Sequence, residues 1–249
     1  MDEWEILHLA KEEDGCIDGV HDRGSQFLAA VLQHYARWEY IKLHFDTVDF
    51  RGVPGTMSLL RHLDLSLSDP PDFVSFGDLP LLRTAILNDV AAIYLTFPWT
   101  QLISLTLTSI HLHECVPILP QASNLVYCEL ELFFVNYSDR EPFTLPYVED
   151  FMLKDACVTF KFNITTPVNI LENFILPALC RLEIPERFFG DDPIDCLASF
   201  ISHSGCALQD VCITGKRYIL KNVYRTAFPS IQFFFDGVYD GDEVEGADL

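Results

Sequence analysis

The sequence predicts an α/β solenoid in which short repeats stack on one another and their strands pair into one parallel sheet. Three observations lead to this prediction. Apolar residues recur in hexamers that follow or approximate L-x-x-L-x-L, as in "LRHLDL". The hexamers return mostly every 20–23 residues, and a proline precedes several of them. Intervals of about 20–29 residues are typical of leucine-rich repeats. We therefore expect a leucine-rich-repeat solenoid.

Nine hexamers share this pattern, the last of them in degenerate form. The fourth and sixth residues of the hexamers occupy alternate positions, as the inward side chains of a short strand do, and most residues between them are polar. One unit cannot bury its apolar side alone, so neighbouring units must stack. We expect the parallel sheet on the concave side and short helices or irregular loops on the convex side. The hexamers begin at Trp38, Leu60, Leu82, Leu102, Leu125, Val148, Leu179, Leu208 and Ile231.

Three segments between hexamers have the apolar spacing of helices. Ser25–Trp38 places Phe27, Ala30, Val31, Tyr35 and Trp38 on one face, with Ser25 as a possible N-cap. The second segment begins at Asp192 as the N-cap, has Pro193 in the first helical position and ends at Gly205. The third is "TTPVNILENFIL", residues 165–176.

A regular leucine-rich repeat carries an asparagine three residues after the last strand leucine. The corresponding positions here include Ser68, Val90, Ile110 and Phe133. We therefore expect the turns to be closed by other groups and the curvature to be irregular. The predicted organisation is a poorly ordered acidic N-terminus (1–24), a leucine-rich-repeat-like domain (25–236) and an acidic disordered tail (237–249).

Composition restricts the partners. The chain has 249 residues and a net charge of −21, with 16 basic residues against 37 acidic ones. Nucleic acids and anionic membranes need clustered basic residues, so neither is expected as a partner. No apolar run approaches a membrane span and the start lacks a basic leader, which favours an intracellular protein, cytoplasmic or nuclear. The eight scattered cysteines are expected to be reduced.

Two short clusters suggest chemistry. "HLHEC" contains His111, His113 and Cys115, which could supply three ligands to zinc. "SHSGC" places His203 near Cys206, an arrangement that could support nucleophilic catalysis. Both also fit ordinary turn residues, which is the interpretation we favour. We thus expect no enzyme, metal or cofactor, and keep a small metal-dependent or cysteine hydrolase as the alternative.

Binding is expected on the strand residues that lie between the inward leucines, because they face the concave sheet. Acidic residues dominate these positions, so we expect a protein partner with a basic segment. The predicted binding residues are His62, Asp64, Tyr127, Glu129, Glu131, Asp150, Met152, Arg181, Glu183 and Asp210, and Asn88 and Lys154 adjoin them.

One long stretch resembles a known family. "FPWTQLISLTLTSIHLHECVPILPQASNLVYCELEL" is similar to the leucine-rich region of F-box proteins of mushroom-forming fungi, and "HYARWEYIKLHF" and "LPLLRTAIL" also resemble it. The resemblance implies the substrate-recognition part of a cullin-type ubiquitin ligase receptor. An F-box opens with a Leu-Pro-x-Glu-like pattern that Met1–Ser25 does not contain, so adaptor binding is not expected. A truncated gene product without present function is a third hypothesis.

Overall fold

The computed structural model describes residues 33–45, 56–70, 78–133, 141–156 and 167–237. These residues form an α/β structure with few helices. Nine of its strands are hydrogen-bonded to neighbouring strands in a large parallel sheet. The α/β class and the parallel pairing are therefore confirmed. The chain divides into two units, Met1–Leu107 and Thr108–Leu249, with the boundary inside a strand.

The described residues of the first unit form three complete parallel strands and one short helix. The strands are β1 (Tyr40–Phe45), β2 (His62–Leu67) and β3 (Thr84–Asn88), followed by helix α1 (Asp89–Tyr94) and the start of β4 (Ser104–Ile110). Two 3-10 turns, Tyr35–Arg37 and Trp99–Gln101, precede β1 and β4. β2 lies between β1 and β3, and equivalent hexamer positions are aligned: Tyr40 pairs with His62, and His62 pairs with Thr84.

The second unit contains the end of β4 and the longer crossovers. The strands after β4 are β5 (Tyr127–Leu132), β6 (Phe143–Thr144), β7 (Asp150–Asp155), β8 (Phe174–Ile175), β9 (Arg181–Pro185), β10 (Asp210–Thr214) and β11 (Gln232–Asp236). The helices are α2 (Pro193–Ser204) and α3 (Lys221–Ala227), and 3-10 turns occupy Leu112–Cys115, Leu171–Asn173 and Glu186–Phe188. The large parallel sheet runs in the order β5-β7-β9-β10-β11, while β6 and β8 pair separately.

Each of the nine predicted hexamers coincides with one of these parallel strands. In eight of them the strand begins at the third hexamer residue, and the fourth and sixth residues are buried, as Leu63 and Leu65 are in β2. The exception is β11, which begins one residue early, at Gln232. The prediction that Phe234 is inward is therefore wrong: Phe233 is 5% exposed and Phe234 48% exposed. A shift of one residue reverses the two faces of a strand.

Backbone groups close most of the turns that lead into the strands. In seven of the nine hexamers the N–H of the first residue donates to the carbonyl three residues earlier, as from Leu60 to Met57 and from Leu179 to Leu176. The carbonyl of the second residue then accepts N–H groups from the next repeat, as Arg61 does from Arg83 and Thr84. Since both contacts use main-chain atoms, they need no particular side chain. This explains how degenerate hexamers keep a common register.

Helix α2 confirms the prediction for its segment. The Asp192 carboxylate accepts a hydrogen bond from the Asp195 N–H, Pro193 opens the helix, and Gly205 ends it with a φ of 65°. A left-handed φ of this kind suits glycine, which has no Cβ to clash.

The prediction of a third helix at residues 165–176 is wrong for the described part of that segment. Val168 and Ile170 donate their N–H groups to the carbonyls of Arg187 and Phe188, so these groups are not available for a helix. Only Leu171–Asn173 forms a 3-10 turn. Phe174 then enters β8 and packs on Phe151, with 4.8 Å between ring centroids. Tertiary pairing therefore overrides the local helical pattern.

Other predictions fall wholly or partly on undescribed residues. Residues 1–24, most of the helix predicted over Ser25–Trp38, and the tail from Val238 onward lie outside the described residues; the described end of that helix is the 3-10 turn Tyr35–Arg37. Among the residues that the structure describes, no helix has the length and apolar character to cross a membrane.

Candidate functional site

Eight of the ten predicted binding residues lie on the outward face of the sheet in the second unit. Parallel pairing in register places them in rows that cross the strands. The first row contains Tyr127, Asp150, Arg181 and Asp210, and the second contains Glu129, Met152, Glu183, Cys212 and Phe234. All are partly or fully exposed. Side chains alternate between the two faces of a strand, so the buried apolar residues between them lie on the opposite face.

An open groove of about 350 Å³ crosses these rows from β5 to β11. We call it the sheet groove; it is lined by Tyr127, Asp150, Phe151, Met152, Arg181, Leu182, Glu183, Asp210, Cys212 and Phe234. A volume of this size is at the lower end of the range of small binding clefts. The groove therefore has room for one or two side chains of a bound protein segment.

The remaining two predicted residues, His62 and Asp64, lie on β2 in the first unit. The Asp64 carboxylate forms an ion pair with Lys42 Nζ at 2.7 Å. The ring centroids of His62 and Tyr40 are 6.0 Å apart. The hydrogen bond to Asp64 raises the pKa of Lys42. Asp64 thus already has a partner within its own unit.

Asn88, which was expected beside the binding surface, contributes to folding instead. Its Nδ2 donates to the carbonyl of Leu67 at 2.7 Å, and its Oδ1 accepts from the N–H groups of Leu67 and Ala91. The side chain therefore joins the ends of β2 and β3 and caps helix α1. Its polar atoms are occupied by these contacts.

Several charges of the sheet groove neutralise one another. Arg181 makes a two-pronged ion pair with Asp150 on the neighbouring strand. Lys154 Nζ lies 2.6 Å from Glu129, whose second oxygen accepts a hydrogen bond from the Tyr127 hydroxyl at 2.6 Å. Burial, and then the Glu129 carboxylate, raise the pKa of the Tyr127 hydroxyl, so it stays protonated and remains a donor.

Three predicted carboxylates keep free hydrogen-bonding capacity. Among the described residues, none donates a hydrogen bond to Glu131, Glu183 or Asp210, and none forms an ion pair with them. The pKa of Glu183 is raised, mainly because the carboxylate is partly buried. The positive charge of Lys154 lowers this pKa, and the negative charge of Glu129 raises it. Glu183 is thus a desolvated carboxylate to which a cationic group from a ligand would be attracted.

Phe234 is the groove residue that sequence reasoning missed. Its exposed ring lies beside Cys212, which in turn pairs with Glu183. The three consecutive phenylalanines of β11 offer an apolar side chain to both faces, so alternation could not distinguish them. The turn before the strand does not distinguish them either, because the Ile231 N–H donates to the Phe228 carbonyl as the first residue does in other hexamers.

The two clusters that suggested chemistry take structural roles. His111 and Glu114 exchange backbone and side-chain hydrogen bonds at the start of a 3-10 turn, and Cys115 is buried beneath it. Within the described residues, no group of three histidine, cysteine, aspartate or glutamate side chains could hold a metal ion. His203 is exposed, whereas Cys206 is buried, and burial raises the pKa of the Cys115 and Cys206 thiols. A raised pKa disfavours the nucleophilic thiolate.

A buried polar network was also missed. Glu186, only 2% exposed, accepts hydrogen bonds from the N–H groups of Tyr218 and Ile219 and from the Tyr224 hydroxyl at 2.8 Å. Burial and the Glu186 carboxylate raise the pKa of Tyr224. Arg217 is buried nearby, over the ring of Phe235. No local pattern marks Glu186, because its donors lie more than thirty residues away.

Comparisons of the chain with protein-family models, with curated proteins and with solved structures found no match.

Proposed function

We propose that this chain is a non-enzymatic protein-recognition module built from leucine-rich repeats. The repeating backbone supports this proposal: neighbouring hexamers pair their strands in register, and most of the turns before the strands are closed by the same main-chain contact. Stacked repeats of this kind present one continuous face of outward side chains, which is the usual binding surface of such architectures.

The ligand of the sheet groove is a protein segment with a lysine or arginine next to an apolar side chain. The observation that carries this proposal is the pair Glu183 and Asp210, whose side-chain carboxylates accept no hydrogen bond from the described residues. They occupy diagonal positions on neighbouring strands, since Asp210 pairs with Arg181 and Glu183 with Cys212. Strand spacing and rise put their Cα atoms about 8 Å apart. One ammonium or guanidinium group can contact both carboxylates, while Phe234 and Met152 receive the apolar neighbour.

The charge of the surroundings favours the same ligand. The outward face of this sheet carries six carboxylates and two cations, both of which are already paired: Glu129, Glu131, Asp150, Glu183, Asp210 and Asp236 against Lys154 and Arg181. A field of one sign accelerates the approach of an oppositely charged partner and is screened by salt. We expect binding to weaken as the ionic strength rises.

The family resemblance extends this proposal to the substrate-recognition part of an F-box ubiquitin-ligase receptor. In that role the sheet groove would contact the substrate, whereas adaptor binding would need an F-box. Mixing the purified chain with the adaptor subunit of a cullin-type ligase tests the second point, and we expect no complex from the chain alone. Stable co-elution of the two proteins would contradict this expectation.

Peptide display against the immobilised full chain tests the groove. We expect enrichment of peptides with lysine or arginine beside an aromatic or aliphatic residue. The double variant Glu183→Lys/Asp210→Lys should weaken their binding by at least about tenfold, which corresponds to ~1.4 kcal/mol.

The matched control is Glu172→Lys/Asp191→Lys, which makes the same charge change at two exposed positions outside the groove. It should leave binding nearly unchanged. If both double variants reduce binding equally, only the net charge matters and the sheet groove is not the site. If no peptide class is enriched, the proposed ligand is wrong.

A further inference from the structure

The segment from Lys216 to Arg225 forms a basic and apolar surface on a strongly acidic chain. It holds four of the chain's 16 basic residues within ten positions. Lys216, Lys221 and Arg225 are exposed, and the apolar side chains of Tyr218, Leu220 and Val223 are between 41% and 50% exposed. We call these six residues the basic patch. It lies apart from the residues that line the sheet groove.

Buried contacts beneath the patch hold it in shape. Glu186 binds the N–H groups of Tyr218 and Ile219 together with the Tyr224 hydroxyl. In the same segment Arg217 is buried, whereas Tyr218 and Leu220 remain on the surface. The exposure of several large apolar side chains is therefore imposed by the fold, and it has a cost that a covering segment would remove.

Two cations of the patch, Lys221 and Arg225, are held over an aromatic ring and keep hydrogen-bond donors for a further contact. Lys221 Nζ lies 5.5 Å and the Arg225 guanidinium carbon 5.6 Å from the centre of the Phe235 ring. Within the described part of the chain, neither forms an ion pair with a carboxylate. A cation over an aromatic ring still has hydrogen-bond donors for an acidic group.

An acidic segment follows in the sequence directly after β11. Strand β11 ends at Asp236, whose carbonyl accepts the Gly215 N–H at 2.9 Å, and Gly215 immediately precedes Lys216. The chain thus leaves β11 beside the start of the patch. The following residues, 238–249, contain five carboxylates together with Tyr239, Val244 and Leu249. Twelve residues can extend over about 40 Å, far more than the ~10 Å length of α3.

We propose that the acidic segment 238–249 docks on the basic patch of its own molecule. Its carboxylates pair with the lysines and the arginine, and its apolar residues cover Tyr218, Leu220 and Val223. Tethering favours this occupant over a separate acidic protein, because a short tether gives a local concentration on the order of 1 mM. This contact is independent of the ligand proposed for the sheet groove.

Zero-length carbodiimide crosslinking of the full chain tests the proposal. The reagent joins a lysine amine to a carboxylate in direct contact, and an equal mixture of ¹⁴N- and ¹⁵N-labelled protein distinguishes links within a chain from links between chains. We expect links from Lys216 or Lys221 to residues 240–248 within single chains. Their yield should fall at least threefold in 0.5 M salt, which screens surface charges.

A variant separates docking from mere proximity of a tethered segment. Leu220→Ser/Val223→Ser keeps every charge and should lower the yield of these links at least threefold. Leu59→Ser/Ile103→Ser changes two similarly exposed apolar residues in the other unit and should leave the yield unchanged. Equal yields from both variants, links that join ¹⁴N to ¹⁵N chains, or the absence of links from these lysines would each overturn the proposal.

Discussion

Replacing Glu186 with glutamine should lower the free energy of unfolding by about 2 kcal/mol, whereas the same change at Glu183 should not. The two glutamates are three residues apart but have opposite surroundings. Glu186 is buried and accepts hydrogen bonds from three donors, while Glu183 accepts none from the described residues. The pair therefore forms a matched test of what a buried carboxylate contributes.

The magnitude follows from the partners of each oxygen. In Glu186, one oxygen accepts from the Tyr218 and Ile219 N–H groups and the other from the Tyr224 hydroxyl. A glutamine can keep this geometry if its amide oxygen faces the two N–H groups and its NH₂ donates to a rotated Tyr224 hydroxyl. What is lost is the extra strength that the negative charge gives to the hydrogen bonds. At roughly 1 kcal/mol for each of the two N–H donors, this loss amounts to about 2 kcal/mol. Glu186→Ala removes all acceptors, so we expect a loss of about 4 kcal/mol.

Urea unfolding followed by far-ultraviolet circular dichroism measures these changes. With a denaturant slope of about 2 kcal/mol/M, the Glu186→Gln midpoint should fall by about 1 M. Hydrogen exchange supplies a local measurement, because the Tyr218 and Ile219 amides should exchange faster in this variant. If Glu186→Gln unfolds at the wild-type urea concentration, or Glu183→Gln loses as much stability, the role assigned to the network is wrong.

Three further predictions concern single positions. Gly237→Ala should destabilise the protein measurably in thermal unfolding, because a Cβ at this position would lie 1.8 Å from the Gly215 carbonyl oxygen; an unchanged melting temperature would contradict the close approach. Asp192→Ala should cost about 1 kcal/mol through the lost helix cap on the Asp195 N–H, and Asp192→Asn, which keeps a capping oxygen, should cost less. Glu183→Gln should become increasingly stable relative to wild type as the pH rises above 4.5, the ordinary glutamate pKa, because the folded protein binds its proton more tightly than the unfolded chain. A pH-independent difference would refute the raised pKa.

The strands and their faces could be predicted because alternation is a local property. In β5 the buried Cys128, Leu130 and Leu132 alternate with outward polar residues, and the same holds for the other strands that begin at the third hexamer residue. Helix α2 was equally local, since its cap, its proline and its final glycine all lie within the segment. The predicted third helix failed because the N–H groups of Val168 and Ile170 bond to the carbonyls of Arg187 and Phe188, which lie in a 3-10 turn about twenty residues further along the chain.

By itself, the sequence determined where the strands lie and which side chains face outward, and with them the acidic character of the binding face. Only the tertiary structure decided which of those charges are available. Asp150 meets Arg181 and Glu129 meets Lys154 across separations of 31 and 25 residues, whereas Glu183 meets no hydrogen-bond donor among the described residues. Electrostatic pairing and desolvation depend on distance and burial in space. Neither quantity can be read from the order of residues along a chain.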